Sequence, residues 1–216
     1  MAYTLYYHPL SSYCMKVVTA LYESGTPFTP KSVNLQDGAE RAALLKLYPV
    51  GKFPVLRDDD RDLTVPESTI IIEHLAQHHP TAAALVPGDP GLALQVRAQD
   101  RFFDLHVHTQ MQAIVGDRLR PKDAKDPHGV EQARAQIRKS YDILERQITG
   151  AWAMGENFGL AECAAAPPLF YASQLEPFGD RSNLTAYLAR LKARPSFARV
   201  LKEPEPHFAM FPKEDA

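Results

Sequence analysis

The chain has few cysteines, no long apolar run and almost no net charge, and each scarcity excludes a class of protein. Its two cysteines, Cys14 and Cys163, are too few for the disulfide framework of a small secreted domain, and their rarity fits a reducing cytoplasm. No apolar stretch approaches the roughly 20 residues of a membrane span. The N-terminus lacks the basic and apolar regions of a secretory signal. We therefore expect a cytoplasmic protein that does not insert into a membrane.

The charge balance argues against polyanionic partners. The formal net charge is -2, so nothing in the composition favours binding to nucleic acid or to an anionic membrane surface. The 216 residues are 45% hydrophobic and 23% charged, values that are ordinary for a globular protein. A chain of this length can form one large domain or two small ones.

The first 47 residues alternate between strand and helix patterns. Residues 3–8 are rich in aromatic and β-favouring types and predict a strand. From Cys14 the apolar residues recur at the spacing of one helical face, and Gly25 is a plausible end of that helix. A second strand is expected over 31–35 and a second helix over 39–47. The pattern predicts a parallel βαβ unit with a right-handed crossover.

The next segment changes to a hairpin pattern and then to helices alone. Two short strands, 54–58 and 63–65, flank a charged turn, and a helix follows from Ser68 to Pro80. Residues 81–91 are rich in Pro and Gly and predict a linker. Beyond it we expect only helices, near residues 92–116, 126–148, 160–175, 184–193 and 196–202. The predicted architecture is therefore α/β plus all-α, with domains at 1–80 and 92–216.

Four motifs in order give this architecture a family resemblance. They are SSYCMKV (11–17), GKFPVL (51–56), PES (66–68) and FGLAECAAAPPL (158–169). Together they resemble the cytosolic glutathione S-transferases, in particular serine-type members of the theta- or zeta-like classes. The resemblance implies a thioredoxin-like βαβ-ββα domain that binds glutathione, followed by an all-helical domain that carries the pocket for an electrophile.

The resemblance also implies the reaction and the partners. We expect the thiolate of glutathione to add to an electrophilic, hydrophobic small molecule, a detoxification chemistry, in a homodimeric enzyme. Glutathione is then a co-substrate, and neither a cofactor nor a metal is implied. Two alternatives stay open: a glutathione-dependent isomerase or dehalogenase on the same fold, and a non-catalytic protein that binds glutathione or a protein partner.

The candidate catalytic residues are Ser11 and Ser12, where the first strand becomes the first helix. A serine at this point can simply cap the helix. The same helix end carries partial positive charge and free N–H groups, which suits an anion. Because the thiolate of glutathione is the nucleophile, the resemblance implies that Ser11 donates a hydrogen bond to it. Ser12 is the alternative, since the sequence does not fix the register of the turn.

The resemblance assigns the binding of the glutathione backbone to five residues, Lys52, Phe53, Pro54, Glu67 and Ser68. A cis bond before Pro54 would turn the backbone of Phe53 outward to pair with the cysteinyl part of glutathione. Glu67 would hold the γ-glutamyl amine and Ser68 the neighbouring carboxylate, while Lys52 would contact the glycyl end. The plainer interpretations are a strand start at Pro54, a helix cap at Ser68 and a solvated charge at Glu67.

The remaining candidates lie in the predicted helices. Phe103, His106 and Met111 are candidates for the electrophile pocket, although such residues often form core or dimer contacts. Cys14 follows Ser11 in an S-x-x-C spacing, which argues against a dithiol oxidoreductase, and its helical face favours a core position. Gly159 stands where the family resemblance leads us to expect Ser or Thr as a helix cap.

Overall fold

The computed structural model describes residues 2–204, 208 and 212, and its first half contains a mixed four-stranded sheet. The strands are β1 (Tyr3–Tyr7), β2 (Thr29–Ser32), β3 (Val55–Asp58) and β4 (Leu63–Pro66), in the spatial order β2-β1-β3-β4. β1 and β2 are parallel, whereas β3 is antiparallel to both β1 and β4. This confirms the predicted βαβ unit followed by a hairpin.

The remaining regular elements of the described chain are mainly helices. In the first half these are α1 (Ser12–Ser24), α2 (Gly38–Leu47) and α3 (Ser68–His78). In the second half they are α4 (Pro90–Phe102), α5 (Thr109–Arg118), α6 (Pro127–Gln147), α7 (Leu160–Leu175), α8 (Ser182–Ala193) and α9 (Pro195–Lys202). Short 3₁₀ helices cover Pro80–Leu85 and Lys122–Ala124. The fold class is the predicted thioredoxin-like domain with a helical second domain.

Two segments differ from the sequence prediction. β2 lies two to three residues earlier than expected, and Leu35 is 39% exposed, because the ladder with β1 ends at Ser32 and the chain then turns at Asn34. The segment 81–91, predicted to be a linker, is partly helical, and α4 begins at Pro90 with Asp89 as its N-cap. The end of the predicted second domain, at residue 216, lies outside the described residues.

The long helix predicted over 92–116 changes its geometry in the middle. A π-helical segment, Phe103–His108, joins α4 to α5 with no non-helical residue between them. Such wide turns are rare, and they are frequent at functional sites. This one carries Asp104 and His108, which face the start of α1.

A single large apolar core connects the two halves of the molecule. α1 packs against α3 on one side and against α7 and α9 on the other. Cys14 and Cys163 are both fully buried free thiols, and burial raises the pKa of Cys14 to about 12. This confirms that Cys14 is a core residue. No helix among the described residues is long and apolar enough to cross a bilayer.

The start of α7 explains why glycine occupies position 159. A Cβ atom at Gly159 would lie 2.9 Å from the backbone oxygen of Leu85, so serine or threonine would collide with the preceding segment. Glu162 replaces the missing cap by accepting hydrogen bonds from the N–H groups of Gly159 and Ala153, both at 2.9 Å. The apparent departure from a good helix cap is therefore imposed by close packing.

We expect Gly159→Ser to destabilise the protein by about 1–3 kcal/mol, because the new side chain overpacks a rigid backbone contact. Gly159→Ala should cost a similar amount, since it adds the same Cβ atom. Urea unfolding measures both. Gly116→Ala is the control: no atom lies within 4 Å of the added Cβ, and alanine should stabilise helix α5 by up to about 1 kcal/mol. A gain in stability for Gly159→Ser would contradict the packing explanation.

Candidate active site

A cleft of about 430 Å³ opens where the first turns of α1 and α3 meet α4 and the π-helical segment. Tyr13 and Ser68 lie on its wall. Its charged lining consists of the acids Glu67, Glu73, Asp100 and Asp104 and the bases Arg97 and Arg101. Three of the sequence-predicted elements therefore converge here: the start of the first helix, the P-E-S motif and the first long helix of the second domain.

Ser11 is the N-cap of α1 and is partly exposed. Its Oγ accepts a hydrogen bond from the N–H of Cys14 at 3.4 Å, and its backbone N–H donates to the oxygen of His8 at 3.0 Å. The Ser11 hydroxyl also interacts with the side chain of Cys14. Ser11 therefore caps the helix and holds a partly exposed hydroxyl at the helix N-terminus.

Ser12 has a different environment although it is the next residue. It is 2% exposed, its Oγ lies 2.5 Å from Nε2 of His108, and it accepts a hydrogen bond from the Gln112 amide at 3.0 Å. Burial lowers the pKa of His108, although Asp104 opposes the shift, so the ring is neutral near pH 7. Because Nδ1 faces the Asp104 carboxylate at 3.9 Å, the ring proton is favoured there and Nε2 accepts from Ser12.

Ser12, His108 and Asp104 have the order of a hydrolytic nucleophile, base and carboxylate. They do not form a hydrolase site, because Ser12 and His108 are closed off from solvent and a substrate carbonyl has no path to the hydroxyl. Tyr13 covers the imidazole, with ring centroids 3.6 Å apart. The arrangement instead ties the first turn of α1 to the π-helical segment.

A buried ion cluster strengthens this connection between α1 and the π-helical segment. Lys16 is fully buried and its Nζ lies 2.6 Å from Asp100 and 2.9 Å from Asp104, and it also donates to Thr69. Arg101 pairs with both aspartates from the solvent side. Burial favours the neutral acid, yet the contacts with His108 and Lys16 outweigh it and hold the pKa of Asp104 below its usual value.

The loop before β3 lies beside the turn that carries Ser11. The Phe53–Pro54 bond is cis, as the family resemblance implies. The Phe53 ring stacks on the ring of His8, with centroids 5.9 Å apart, and packs against the small cluster around Val55. Lys52 is exposed at the surface. The structure thus brings the G-K-F-P segment next to the β1–α1 turn.

Glu67 and Ser68 form the start of α3. Glu67 is the N-cap residue and has a φ of 71°, a conformation that non-glycine residues seldom adopt. Its side chain does not cap the helix; instead it accepts a hydrogen bond from the Tyr48 hydroxyl at 2.8 Å. Ser68 is largely buried at the first helical position. The free N–H groups of this helix start therefore remain available to an anion from the cleft.

The structure corrects the predicted electrophile pocket. Phe103 and Met111 are at most 1% exposed and belong to the main apolar core, so they have no surface to offer a ligand. His106 is exposed, on a different side of the helix, and its ring lies 5.2 Å from that of Phe102. The three residues do not line one pocket, because helical spacing alone could not tell which face of this helix is covered.

Several residues of this region were missed from the sequence. Lys16 meets Asp100, and Gln112 meets Ser12, only in the folded chain, the latter pair at a separation of 100 residues. No local signal marks them, apart from a single lysine within a largely apolar stretch of the first helix. Tyr48 was also missed, although it precedes the G-K-F-P segment by only a few positions.

The fold and the cleft define a class: a thioredoxin-like domain joined to a helical domain, with a cleft at the helix starts between them. The sequence comparisons agree with it. Residues 5–83 match the profile described as "Glutathione S-transferase, N-terminal domain", and residues 127–190 match "Glutathione S-transferase, C-terminal domain".

Individual relatives cover nearly the whole chain. Glutathione S-transferase F13 of Arabidopsis thaliana is 27% identical over 210 residues, which are 93% of this chain and 95% of the relative. A Stringent starvation protein A homolog of Haemophilus influenzae is 30% identical over 216 residues, 94% and 92% of the two chains. Maleylacetoacetate isomerase of Pseudomonas aeruginosa is 30% identical over 177 residues, 78% and 80%.

Solved structures show the same architecture. A glutathione S-transferase from Methylobacillus flagellatus with bound glutathione superposes with a TM-score of 0.80 at 25% identity, covering 92% of this chain and 98% of that one. One from Methylobacterium radiotolerans, in complex with glutathione sulfonate, gives 0.80 at 28% identity, covering 93% and 94%. The chain belongs to the glutathione S-transferase family, which confirms the predicted family and enzyme class.

We expect Asp104→Asn to reduce the free energy of unfolding at pH 7 by about 1.5–3 kcal/mol, because a charged partner of Lys16 is lost. The pKa of Asp104 is lowered in the folded state, so its contribution is present above the unfolded value near 3.9 and is lost as the pH falls through the folded value. The difference in the free energy of unfolding between wild type and variant should therefore become smaller below about pH 4.

Urea unfolding at a series of pH values measures this gap. Asp123→Asn, which removes an exposed carboxylate outside the cluster, is the control and should change stability little at any pH. A gap between wild type and Asp104→Asn that stays constant from pH 7 to pH 3 would show that the Asp104 charge is not what stabilises the fold.

Proposed function

We propose that this protein binds glutathione in the cleft and transfers its thiolate to an electrophilic, hydrophobic small molecule. The proposal rests on the charge pairing in the cleft, where every lining acid except Glu67 is paired with a cation of the described residues. Glu73 pairs with Arg97, and Asp100 and Asp104 pair with Lys16 and Arg101.

Glu67 is the exception among the acids that line the cleft. Within the described residues no cation lies in ion-pair distance of its carboxylate, whose partner is the neutral phenol of Tyr48. A ligand ammonium beside a ligand carboxylate complements Glu67 and the uncapped start of α3 at Ser68. The γ-glutamyl group of glutathione carries both.

The thiolate role is proposed for Ser11. Its partly exposed hydroxyl and the N-terminus of α1 can together stabilise a sulfur anion, whereas the Ser12 hydroxyl is engaged by His108 and Gln112. Cys14 does not compete as a nucleophile, because burial raises its pKa to about 12. The serine-type, theta- or zeta-like assignment rests on this residue and stays a prediction.

The remaining contacts of glutathione follow from the loop before β3. We assign pairing with the cysteinyl backbone to Phe53, and contact with the glycyl end to the exposed Lys52. Catalysis then depends on positioning and on thiolate stabilisation, without a cofactor or metal. The buried free thiols Cys14 and Cys163 fit a cytoplasmic location, where detoxification by conjugation would take place.

A second candidate function is glutathione-dependent isomerisation. The 30% identity to the maleylacetoacetate isomerase favours it, since an isomerase would use the same thiolate and differ in its second substrate. A dehalogenase on the same fold would also use the glutathione thiolate and would be recognised by its second substrate. A panel containing an aryl halide, an epoxide, an enone, a haloalkane and a cis-unsaturated diacid separates the three. Calorimetric binding of glutathione without turnover of any of them would favour a non-catalytic protein.

A homodimer is proposed from the surface around the cleft. Ile70, Leu94 and Leu105 are large apolar residues that are more than half exposed. Ile70 and Leu105 line the cleft, and Leu94 lies one helical turn from Arg97 on α4. A second copy of the chain would cover this face, and the cleft would then lie at the interface.

We expect Ser11→Ala to raise the pKa of the bound glutathione thiol by about 1 to 2 units, because one charge-assisted hydrogen bond to the thiolate is lost. Turnover near neutral pH should fall about 10- to 100-fold. The pH dependence of turnover and the ultraviolet absorbance of the thiolate measure the shift. Ser12→Ala should leave the thiol pKa unchanged and lower the thermal stability. The opposite outcome would move the thiolate role to Ser12.

We expect Leu94→Glu to convert the proposed dimer to monomers, because a charge would be buried in the apolar face. Sedimentation velocity measures the mass of the particle. Leu119→Glu is the matched control, since Leu119 is 70% exposed and directly follows α5, outside the cleft, so this variant should remain dimeric. A wild-type chain that sediments as a monomer at micromolar concentration would refute the dimer.

A further inference from the structure

Tyr48 connects two segments that the proposed function places on either side of glutathione. It follows α2, and its hydroxyl donates to Oε1 of Glu67 at 2.8 Å. The loop that begins at Tyr48 carries Phe53 and Pro54, and the turn at Glu67 leads into Ser68. The hydrogen bond therefore bridges the two walls of the proposed glutathione site.

The tyrosine is held firmly enough to act as a support. Its ring packs on the small apolar cluster of Val33, Leu44 and Val55. Its N–H donates to the oxygen of Leu44 at 2.8 Å, and its own carbonyl accepts from the N–H of Gly51 at 2.9 Å. The phenol is thus fixed by packing and by backbone bonds on both sides.

Glu67 has no comparable support of its own. It is exposed, its backbone adopts a φ of 71°, and its carboxylate forms no cap with α3. Among the described residues, Tyr48 is the hydrogen-bond donor to its side chain. Without that bond the carboxylate could rotate freely, and a ligand would have to order it on binding.

We propose that Tyr48 is a positioning residue for glutathione: it holds Oε1 of Glu67, so that Oε2 is directed to the γ-glutamyl ammonium. The inference rests on the proposed function, in which Glu67 binds that ammonium. The hydrogen bond to Glu67 also raises the pKa of Tyr48, so the phenol keeps its proton, and its role as donor, through the neutral range. The phenol touches Glu67 and has no part in the reaction itself.

Tyr48→Phe tests the inference, because it removes the hydroxyl and keeps the ring in its cluster. We expect the KM for glutathione and its calorimetric Kd to rise about 3- to 10-fold, with kcat at saturating glutathione unchanged. The matched control is Tyr22→Phe. It removes a tyrosine–glutamate bond of the same kind, from the Tyr22 hydroxyl to Glu203 at 2.7 and 2.9 Å, on a part of α1 outside the cleft.

A deaminated analogue, glutaryl-cysteinyl-glycine, lacks the ammonium and so shows how much that group contributes to binding. Wild type and Tyr48→Phe should bind it equally weakly, and Tyr48→Phe combined with Glu67→Gln should bind glutathione no more weakly than Glu67→Gln alone.

If Tyr48→Phe weakens the binding of glutathione and of the analogue by the same factor, the hydroxyl acts on the loop and the inference is wrong. If Tyr48→Phe binds glutathione like wild type while Glu67→Gln binds it weakly, the inference fails and the proposed function stands. If the wild type does not bind glutathione, the proposed function itself fails.

Discussion

The buried ammonium of Lys16 is the constraint on which the geometry of the cleft depends. A lysine in the middle of α1 is tolerable only if its charge is matched, because an unpaired buried charge costs several kcal/mol. Asp100 and Asp104 provide the match from the second domain. Because the two carboxylates carry two negative charges and the ammonium only one positive charge, Arg101 adds a second cation from the solvent side. Helix α1 can therefore occupy its place only when α4 and the π-helical segment occupy theirs.

This constraint explains the position of the wide helical turn. The cluster requires Asp100 and Asp104 to reach Lys16, while His108 must reach Ser12 at the very start of α1. The π-helical segment spans Phe103 to His108, so it lies where one helix has to serve both contacts. In the same turn Phe103 faces the core. Phe103 and Met111, two of the three residues predicted to line a ligand pocket, consequently pack in the core that connects the two domains.

The sequence was informative wherever function depends on a local feature. The strand-to-helix turn at Ser11 and the helix start at Glu67–Ser68 appear in the structure as predicted, because turn and cap chemistry is written in neighbouring residues. The core position of Cys14 followed from helical spacing. The partners of Lys16 could not be predicted, since residues 84 and 88 positions later are brought together by topology alone. The reason for Gly159 was hidden in the same way, because the atom that excludes a side chain belongs to Leu85.

The adjacent serines Ser11 and Ser12 have different environments, which suit one to a ligand-binding role and the other to a structural role. Successive residues at a helix start point in different directions, so the Ser12 hydroxyl is buried in the protein while Ser11 is partly exposed. Ser12 faces His108, and its hydrogen bonds fix the first turn of α1 to the second domain. Ser11 caps that fixed turn, and its partly exposed hydroxyl is the group to which we assign the thiolate. Under the proposed function, the Ser11 hydroxyl stabilises the thiolate of bound glutathione, and a group with that role has to be oriented beforehand. Ser12, His108 and Lys16 would provide that orientation, because they fix the first turns of α1 to the second domain.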